Sequence, residues 1–362
     1  MRRRRQCDGR ARRRLADLDV DPTLTWPMPW PQRPVMASKR SHLVGLSQVA
    51  ATAVLLSGLS ACISDSDLPQ PPDTESGRLA RTVPIADVHM HVYGGPDPEW
   101  HLARMNRAGV RWGGGVGGDA LNDPLIYKSR LGKRVFPAMG QAEFTAVLLR
   151  RGTAGLVDPD EPVFLGLFAR AEQAFAQGQV RGFGEIHVDN WGSRGVAASF
   201  QRRIPLDNPV TRRMYQIADR HHGFVQIHTM GMADFETWVR LGRDYPNVTT
   251  VLSHCLIRSS PDFLRRLFEA VPNLVCEISA QGTSHGGGGR IYGRDGPRPA
   301  WRDLIEAHPD RIMLGTDPCC GLEGRYRELV AEMRAYFLPH FRPETLRKLA
   351  YRNAQRIFLL ED

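Results

Sequence analysis

Six residues of types that bind metals are placed where apolar runs of the sequence end. The pattern recurs five times along the chain, and each run closes on a histidine, a glutamate or an aspartate. The six candidates are His89 and His91 in PIADVHMHVYGG, Glu185 in RGFGEIHVDN, His228 in GFVQIHTMG, His254 in TTVLSHC and Asp317 in RIMLGTDPCC. Imidazole and carboxylate groups bind Zn²⁺ and related divalent ions. Core packing alone does not produce such an ordered set, so the pattern predicts a metal site at the mouth of a barrel.

The elements that must position these residues are short apolar runs separated by longer helical patterns, from Arg81 onward. This alternation is typical of βα units around a parallel sheet. Eight such units in roughly 280 residues predict one α/β domain, a single (β/α)8 or TIM-type barrel, over residues 81–362. The predicted strands are Ile85–Val92, Val110–Gly115, Arg134–Met139, Gly182–His187, Gly223–His228, Val248–His254, Leu274–Ile278 and Arg311–Asp317.

Strand geometry explains how residues that are distant in sequence can form one site. Side chains two residues apart on a strand share a face, as His89 and His91 do. Active sites of these barrels lie at the C-terminal ends of the strands, where all six candidates fall. A single histidine such as His187 or His285 is more often a hydrogen-bonded core or loop residue, and Asp189 is typical of a turn. Six ionisable groups buried together without a metal would be costly.

The ordered motifs resemble the amidohydrolase superfamily, and most of all its amidohydrolase-related branch of metal-dependent hydrolases. The resemblance rests on the His-x-His of ADVHMH, the acidic residue of GFGEIH, the histidines of QIHTMG and LSHC, and the LGTD before the closing helix YRNAQRIFLL. It extends roughly from Pro84 to Leu360. A His-x-His motif alone is weak evidence, whereas the complete ordered set is specific.

The resemblance implies a role for each candidate residue. It assigns His89, His91 and Asp317 to a first metal, His228 and His254 to a second, and Glu185 to a bridge between the two. One-metal branches of the family instead use the positions of His89, His91, His228 and Asp317 as ligands. The position of His254 is then left as an acid or base. Glu185 favours two metals. We expect Zn²⁺, with Mn²⁺ or Fe²⁺ as alternatives, because ligand softness does not separate these ions here.

The chemistry expected of such a site is hydrolysis. A divalent metal lowers the pKa of bound water to about 7 and polarises a substrate carbonyl. Asp317 is the expected base that takes the water proton and passes it to the leaving group. His254 is a second candidate catalytic residue, for charge stabilisation, if the site holds one metal. The predicted substrate is a small molecule with an amide, lactone or ester bond.

Two other functions remain open. Decarboxylases of aromatic or unsaturated acids share the barrel and most of the ligand set, and Glu185 argues only weakly against them. A non-catalytic surface binding lipoprotein is the third interpretation. Loss of one or two ligands would be typical of it, and none is missing from the sequence.

Composition and charge indicate an ordinary globular protein without a nucleic-acid partner. Hydrophobic residues make up 42% of the chain and charged residues 24%, which is enough apolar material for a large core. The net charge of +9 is concentrated in residues 1–62, which contain eleven Lys or Arg and four Asp or Glu. The rest of the chain is close to neutral, so a basic surface for nucleic acid is not expected.

The N-terminal region resembles a bacterial export signal that starts at Met36. Lys39 and Arg40 give a positive segment, Leu43–Leu59 is mostly apolar, and the tetrapeptide Leu59–Cys62 resembles the lipobox of bacterial lipoproteins. A transmembrane anchor is the alternative, but about 17 residues fall short of the ~20 that span a bilayer.

This resemblance implies a chain anchored in the cell envelope. We expect residues 1–35 to be untranslated or disordered, residues 36–61 to be the signal peptide, and Cys62 to be lipidated. Residues 62–80 are rich in Pro, Ser and Asp and are predicted to form a flexible tether. The expected location is the periplasmic face of the outer membrane, with the protein's membrane contact made through the lipid.

The remaining cysteines and the loops leave several interpretations open. A disulfide between Cys255 and either Cys319 or Cys320 is conceivable in an oxidising compartment, and the adjacent pair could instead touch the metal pocket. Substrate selection is expected from the loops that follow the strands. The longest are Tyr93–Trp100, Asn190–Arg203 and Gln281–Ala300, in which Trp191, Arg290 and Tyr292 are candidate substrate contacts.

Overall fold

The computed structural model describes residues 67–91, 98–117, 124–193, 196–230, 234–284, 289–319 and 322–361. Every predicted strand is present in this part of the chain, although several are shorter than expected. The strands are β1 Ile85–Asp87, β2 Val110–Gly114, β3 Val135–Phe136, β4 Met139–Gly140, β5 Gly182–Asp189, β6 Phe224–Thr229, β7 Thr249–Leu252, β8 Leu274–Glu277, β9 Tyr292–Gly293, β10 Gly296–Pro297 and β11 Ile312–Met313.

Helices alternate with the strands. The helices that begin at Pro209 and Pro261 follow residues whose side chains cap them, Asn208 and Ser260 respectively. Proline suits the first helical position because it loses no hydrogen bond there. The α-helices among the described residues are α1 Glu75–Thr82, α2 Pro98–Ala108, α3 Pro124–Leu131, α4 Gln141–Gly155, α5 Pro162–Ala176, α6 Pro209–Arg220, α7 Phe235–Asp244, α8 Pro261–Ala270, α9 Pro299–Ala307, α10 Tyr326–Glu332, α11 Pro343–Arg347 and α12 Asn353–Phe358.

The parallel strands form a closed barrel, which confirms the predicted (β/α)8 fold. Their order is β1-β2-β3 in one part of the sheet and β4-β5-β6-β7-β8-β11 in the other. The predicted third strand is divided into β3, which pairs with β2, and β4, which pairs with β5. Closure between the first and last strands comes from the Val88 amide, which donates to the Leu314 carbonyl oxygen at 3.1 Å. The short strands β9 and β10 form an antiparallel hairpin after β8.

On several strands, the hydrogen-bonded pairing with the neighbouring strand ends before the candidate ligand. The predicted strand Val248–His254 ends at Leu252, and His254 lies in a short 3-10 turn. The predicted strand Arg311–Asp317 is paired only over Ile312–Met313. The ligands themselves cannot continue the strands, because His254 has φ 58° and Asp317 has φ 49°, and neither angle is compatible with an extended strand.

The end of the barrel where the strands begin is filled by a hydrophobic cluster. Inward-facing residues such as Phe224 and Val275 pack there with Phe358 of α12. The Phe358 ring lies 4.7 Å from the Phe136 ring and 4.8 Å from the Phe224 ring. Helix α12 therefore closes this end of the barrel with aromatic side chains.

The predicted tether ends earlier than expected. Its last residues belong to α1, which begins at Glu75 because the Thr74 side chain caps the Gly77 amide. Ser76 donates to the Phe341 carbonyl oxygen at 2.8 Å, and Arg334 donates to that of Ala80 at 2.6 Å. Helix α1 is thus packed against the C-terminal helices rather than flexible.

The predicted signal peptide and lipidation site, residues 36–61 and Cys62, lie outside the described residues, as do residues 1–35. None of the helices in the described ranges combines the length and the apolar character that crossing a membrane requires.

Candidate metal centre

The structure brings all six predicted ligands together at the C-terminal ends of the barrel strands. Every one of them is buried, and the most exposed, His228 and Asp317, have only 7% of their surface accessible. Nε2 of His89 lies 3.1 Å from Nε2 of His91, and Nε2 of His254 lies 3.1 Å from Nδ1 of His228. The histidines therefore form two close pairs.

The Glu185 carboxylate lies between these two pairs. Its Oε2 atom is 3.3 Å from Nε2 of His89 and 3.6 Å from Nε2 of His91. Its Oε1 atom is 2.8 Å from Nδ1 of His228 and 3.3 Å from Nε2 of His254. One oxygen thus faces each pair of imidazoles, which is the arrangement of a bridging ligand.

Asp317 belongs with the first pair of histidines. Its Oδ1 atom lies 3.3 Å from Nε2 of His91 and 3.7 Å from Nε2 of His89. Its backbone amide donates to the His89 carbonyl oxygen at 2.9 Å, so the same residue also joins the last strand to the first. Gly315 of the LGTD motif is required here, because a Cβ at that position would lie 2.8 Å from Cβ of His89.

The donor atoms fit divalent metal ions. Two ligands that are each about 2.1 Å from one ion are separated by roughly 3 to 3.5 Å, which is the spacing of the imidazole and carboxylate atoms in both groups. Three triads of donors each lie within 4.8 Å of one another: His89, His91 and Glu185; His89, His254 and Asp317; and Glu185, His228 and His254. Nitrogen and oxygen donors of this kind suit zinc, manganese or iron.

Charge in the cluster also favours a cation. Burial lowers the pKa of His89, but the carboxylates of Glu185, Glu277 and Asp317 outweigh burial and raise it well above its ordinary value. Burial raises the pKa of Glu185, but the charge of His89 and the hydrogen bond from His187 outweigh this and hold it well below its ordinary value. The carboxylates are therefore ionised at neutral pH. The positive charge that balances these carboxylates otherwise comes from protons on the imidazoles. A divalent cation bound by the imidazoles can replace those protons.

His187 is a neighbour of the centre that sequence reasoning treated as a core residue. Its Nε2 atom lies 3.2 Å from Oε2 of Glu185, and its ring lies 4.6 Å from the His228 ring. Burial lowers the pKa of His187 to about 3, so the imidazole is neutral. His187 therefore supports Glu185 at the edge of the centre. His285 lies outside the described residues.

Asp189 begins a turn, as its position after a strand predicts. Its carboxylate accepts from the Trp191 amide at 3.0 Å and from Nε of Arg203 at 3.2 Å. It takes no part in the ligand cluster.

Sequence reasoning missed Glu277, which is fully buried at the end of β8. Its Oε1 atom accepts hydrogen bonds from Nδ1 of His89 and from the His254 amide, both at 2.8 Å. The signal was present in the sequence, since LVCE is another apolar run that closes on an acid.

The two candidate substrate contacts in the loop Gln281–Ala300, Arg290 and Tyr292, have partners within the protein. Arg290 donates to the carbonyl oxygens of His254, at 3.0 Å, and Ser259, at 2.6 Å. Tyr292 is buried, and its ring lies 5.1 Å from that of Phe337. Both residues therefore hold the loop in place. Trp191 is 56% exposed.

The disulfide differs from the pairing considered from the sequence. Cys255 is bonded to Cys276, with 4.9 Å between their Cα atoms. Pairing with Cys319 or Cys320 is therefore wrong. Cys255 lies in the turn that follows β7, and Cys276 lies in the adjacent strand β8. Cys320 lies outside the described residues.

Fold and site together define a barrel with a buried cluster of residues that can bind divalent metal. A family model described as amidohydrolase matches residues 86–360, and the chain belongs to this family. Both hydrolases and decarboxylases occur in the family. No curated protein sequence gives a significant match to the chain.

Several solved structures are similar to the chain at low identity. One is a Pseudomonas putida protein assigned as a 2-pyrone-4,6-dicarboxylic acid hydrolase, with 15% identity, TM-score 0.49, and coverage of 77% of this chain and 99% of that one. A 2,6-dihydroxybenzoate decarboxylase has 12% identity, TM-score 0.48, and coverage of 77% and 100%. A dihydroxybenzoic acid decarboxylase from Polaromonas with bound manganese has 12% identity, TM-score 0.47, and coverage of 77% and 97%.

Proposed function

We propose that the protein is a two-metal hydrolase that cleaves an amide, lactone or ester bond of a small molecule. The observation that carries this proposal is the position of Glu185, whose two oxygens lie at 2.8 to 3.6 Å from the two histidine pairs. A carboxylate with one oxygen towards each group is placed to bridge a pair of metals. In a one-metal site, only one of the two histidine pairs that the Glu185 oxygens face would hold a metal.

The residues divide into two ligand groups. His89, His91 and Asp317 would hold one metal, His228 and His254 the other, and Glu185 both. We propose Zn²⁺, with Mn²⁺ and Fe²⁺ as alternatives. Bound metal would supply Lewis acidity, which polarises the substrate carbonyl and lowers the pKa of water.

The protein's own groups would complete the reaction. The Asp317 carboxylate lies beside the His89 and His91 pair and would accept the proton of the attacking water. It would then deliver this proton to the leaving nitrogen or oxygen. His254 presents Nε2 to the centre, since its Nδ1 is 2.8 Å from Oγ of Ser279. In a one-metal site His254 would not bind metal and would instead stabilise negative charge on the reacting carbonyl oxygen.

Decarboxylation is the competing reaction, because the family contains both classes of enzyme. Tests with an ester, lactone and amide panel and with aromatic carboxylic acids should separate the two. Hydrolysis places oxygen from ¹⁸O-labelled water in the acid product and releases no CO₂. A substrate that yields CO₂ and takes up only a solvent proton would replace the hydrolase proposal with the decarboxylase.

We also propose that the enzyme acts in the cell envelope as a lipoprotein. The motivation is the export-like segment 36–61 followed by Cys62. The Cys255–Cys276 disulfide supports this location, because structural disulfides persist mainly in oxidising compartments.

A further inference from the structure

Glu277 touches residues of both ligand groups. Its side chain is fully buried, and its Oε1 atom accepts from Nδ1 of His89 and from the backbone amide of His254, each at 2.8 Å. The second oxygen, Oε2, accepts from the Ser279 amide at 2.7 Å. Its bonds therefore extend to His89 on one side of the centre and to His254 on the other.

These bonds fix which nitrogen of His89 faces the centre. An ionised carboxylate can only accept, so Nδ1 of His89 must carry the hydrogen in its bond to Glu277. The lone pair of the neutral ring is then on Nε2, the atom that lies 3.1 Å from Nε2 of His91. Glu277 therefore prepares His89 to bind a metal through Nε2.

The same carboxylate orients His254 through two routes. Oγ of Ser279 donates to Oε1 of Glu277 at 3.0 Å, which leaves the Ser279 oxygen to accept from Nδ1 of His254 at 2.8 Å. The direct bond from the His254 amide holds a backbone that has φ 58°, an angle unfavourable for a residue with a side chain. Nε2 of His254 is thus directed to the centre.

The surroundings are shaped to keep Glu277 in place. A Cβ at residue 315 would lie 2.4 Å from Oε2 of Glu277, so only glycine leaves room for the carboxylate there. Because Glu277 is enclosed, it cannot itself reach a substrate. Its influence must pass through His89 and His254.

We infer that Glu277 is a positioning residue shared by both metal sites, so that its loss weakens binding of both ions. This inference rests on the two-metal function proposed above. Residues that hydrogen-bond to metal-binding histidines typically alter metal affinity by about 10 to 100-fold when mutated. Ser279, which contacts the His254 ring, should affect only the site to which His254 contributes.

The test is a metal titration of the apoprotein with Zn²⁺ and Co²⁺ against a competing chelator. Glu277→Gln keeps the side-chain shape but places an amide NH₂ where an acceptor is needed. Ser279→Ala removes the hydroxyl relay to His254 alone. The carbonyl oxygen of residue 279, 3.1 Å from Nδ1 of His254, remains as an acceptor, so a smaller loss of affinity than in Glu277→Gln is expected. Glu161→Gln is the matched control, since Glu161 is another buried carboxylate and pairs with Arg150 away from the centre.

We expect Glu277→Gln to bind both ions about 10 to 100-fold more weakly. Ser279→Ala should bind one of the two ions more weakly. Glu161→Gln should bind both ions with wild-type affinity. The Co²⁺ absorption spectrum should change in Glu277→Gln and remain unchanged in Glu161→Gln. If Glu277→Gln does not fold, Glu277→Asp replaces it, with the same weakening expected because the shorter side chain cannot reach both histidines.

The possible failures are distinguishable. Wild-type affinity for both ions in Glu277→Gln overturns the positioning role. If the wild type binds two ions and Glu277→Gln binds only one of them more weakly, Glu277 is not shared by both metal sites. The two-metal function then still stands. A wild type that saturates at one ion overturns the two-metal function, and the shared role with it.

Discussion

The backbone amide of Asp317 donates to the carbonyl oxygen of His89 across 2.9 Å, so the last ligand in the sequence is bonded to the first. This contact lies where the barrel closes between β1 and β11. Metal bound by His89 and Asp317 would therefore also hold the barrel closed. Metal binding and barrel stability should be coupled.

Removal of metal should lower the melting temperature of the protein. A metal present at 100 times its Kd stabilises the native state by about 2.7 kcal/mol, because it binds the folded state only. For a domain of this size each kcal/mol corresponds to about 2 to 4 °C, so a chelator should lower the Tm by roughly 5 to 10 °C. His89→Ala is the control. A chelator effect of equal size in His89→Ala would show that the metal responsible is bound elsewhere.

Substitution of Glu185 should change the number of metals. Glu185→Gln keeps the size of the side chain but removes the charge that two adjacent cations need between them. We expect about two metals per chain in the wild type and about one in this variant, measured by mass spectrometry of protein purified without added metal. A wild type that saturates at one metal would favour the mononuclear branch of the family.

Substitution of Asp317 should remove the base. Asp317→Asn keeps the backbone bond to His89 but cannot accept a proton, so kcat should fall by at least ~10²-fold, the usual cost of losing a general base. Asp189→Asn is the matched control, because that carboxylate also lies at the end of a barrel strand but accepts hydrogen bonds from its own loop, from Trp191 and Arg203. Unchanged kcat in Asp317→Asn would assign the proton transfer to another group.

Reduction of the Cys255–Cys276 disulfide should destabilise the protein and loosen the centre. The two cysteines are 21 positions apart, and closing a loop of this size contributes about 3 kcal/mol in the chain-entropy model. Cys255 precedes a residue with φ 56° and follows His254, while Cys276 precedes Glu277. Cys276→Ser should therefore lower both the Tm and the metal affinity. Equal metal affinity in the variant and the wild type would limit the disulfide to a stabilising role.

The lipid anchor has its own test. Cys62→Ser should release the protein from the membrane fraction or block its maturation, because the lipid acceptor is lost. Wild type and variant are compared by fractionation and by labelling with a radioactive fatty acid. Identical soluble, unlabelled protein in both cases would contradict the lipoprotein proposal.

Much of the site could be predicted because the strand ends follow a simple pattern in the sequence. An apolar run that closes on His228 or Glu185 indicates a buried strand with a polar tip, and a parallel barrel gathers such tips at one mouth. The clear alternation of strands and helices predicted the barrel in the same way. Neither inference needed distances.

Other features depend on contacts that a sequence does not display. The left-handed backbone of His254 is held by bonds to Glu277 and Arg290, which are 23 and 36 positions away. Glu277 resembles any strand residue until β7 and β8 are known to be neighbours, and the same adjacency decides the partner of Cys255. Helix α1 also depends on a distant segment, since it packs against the C-terminal helices through bonds to Phe341 and Arg334.

The aromatic contacts of Phe358 with Phe136 and Phe224 fill the end of the barrel opposite the candidate ligands. A molecule that reaches the ligand cluster would therefore come from the mouth, where the strands end. The product of the proposed reaction would leave on that same side, so product that stays bound would compete directly with substrate.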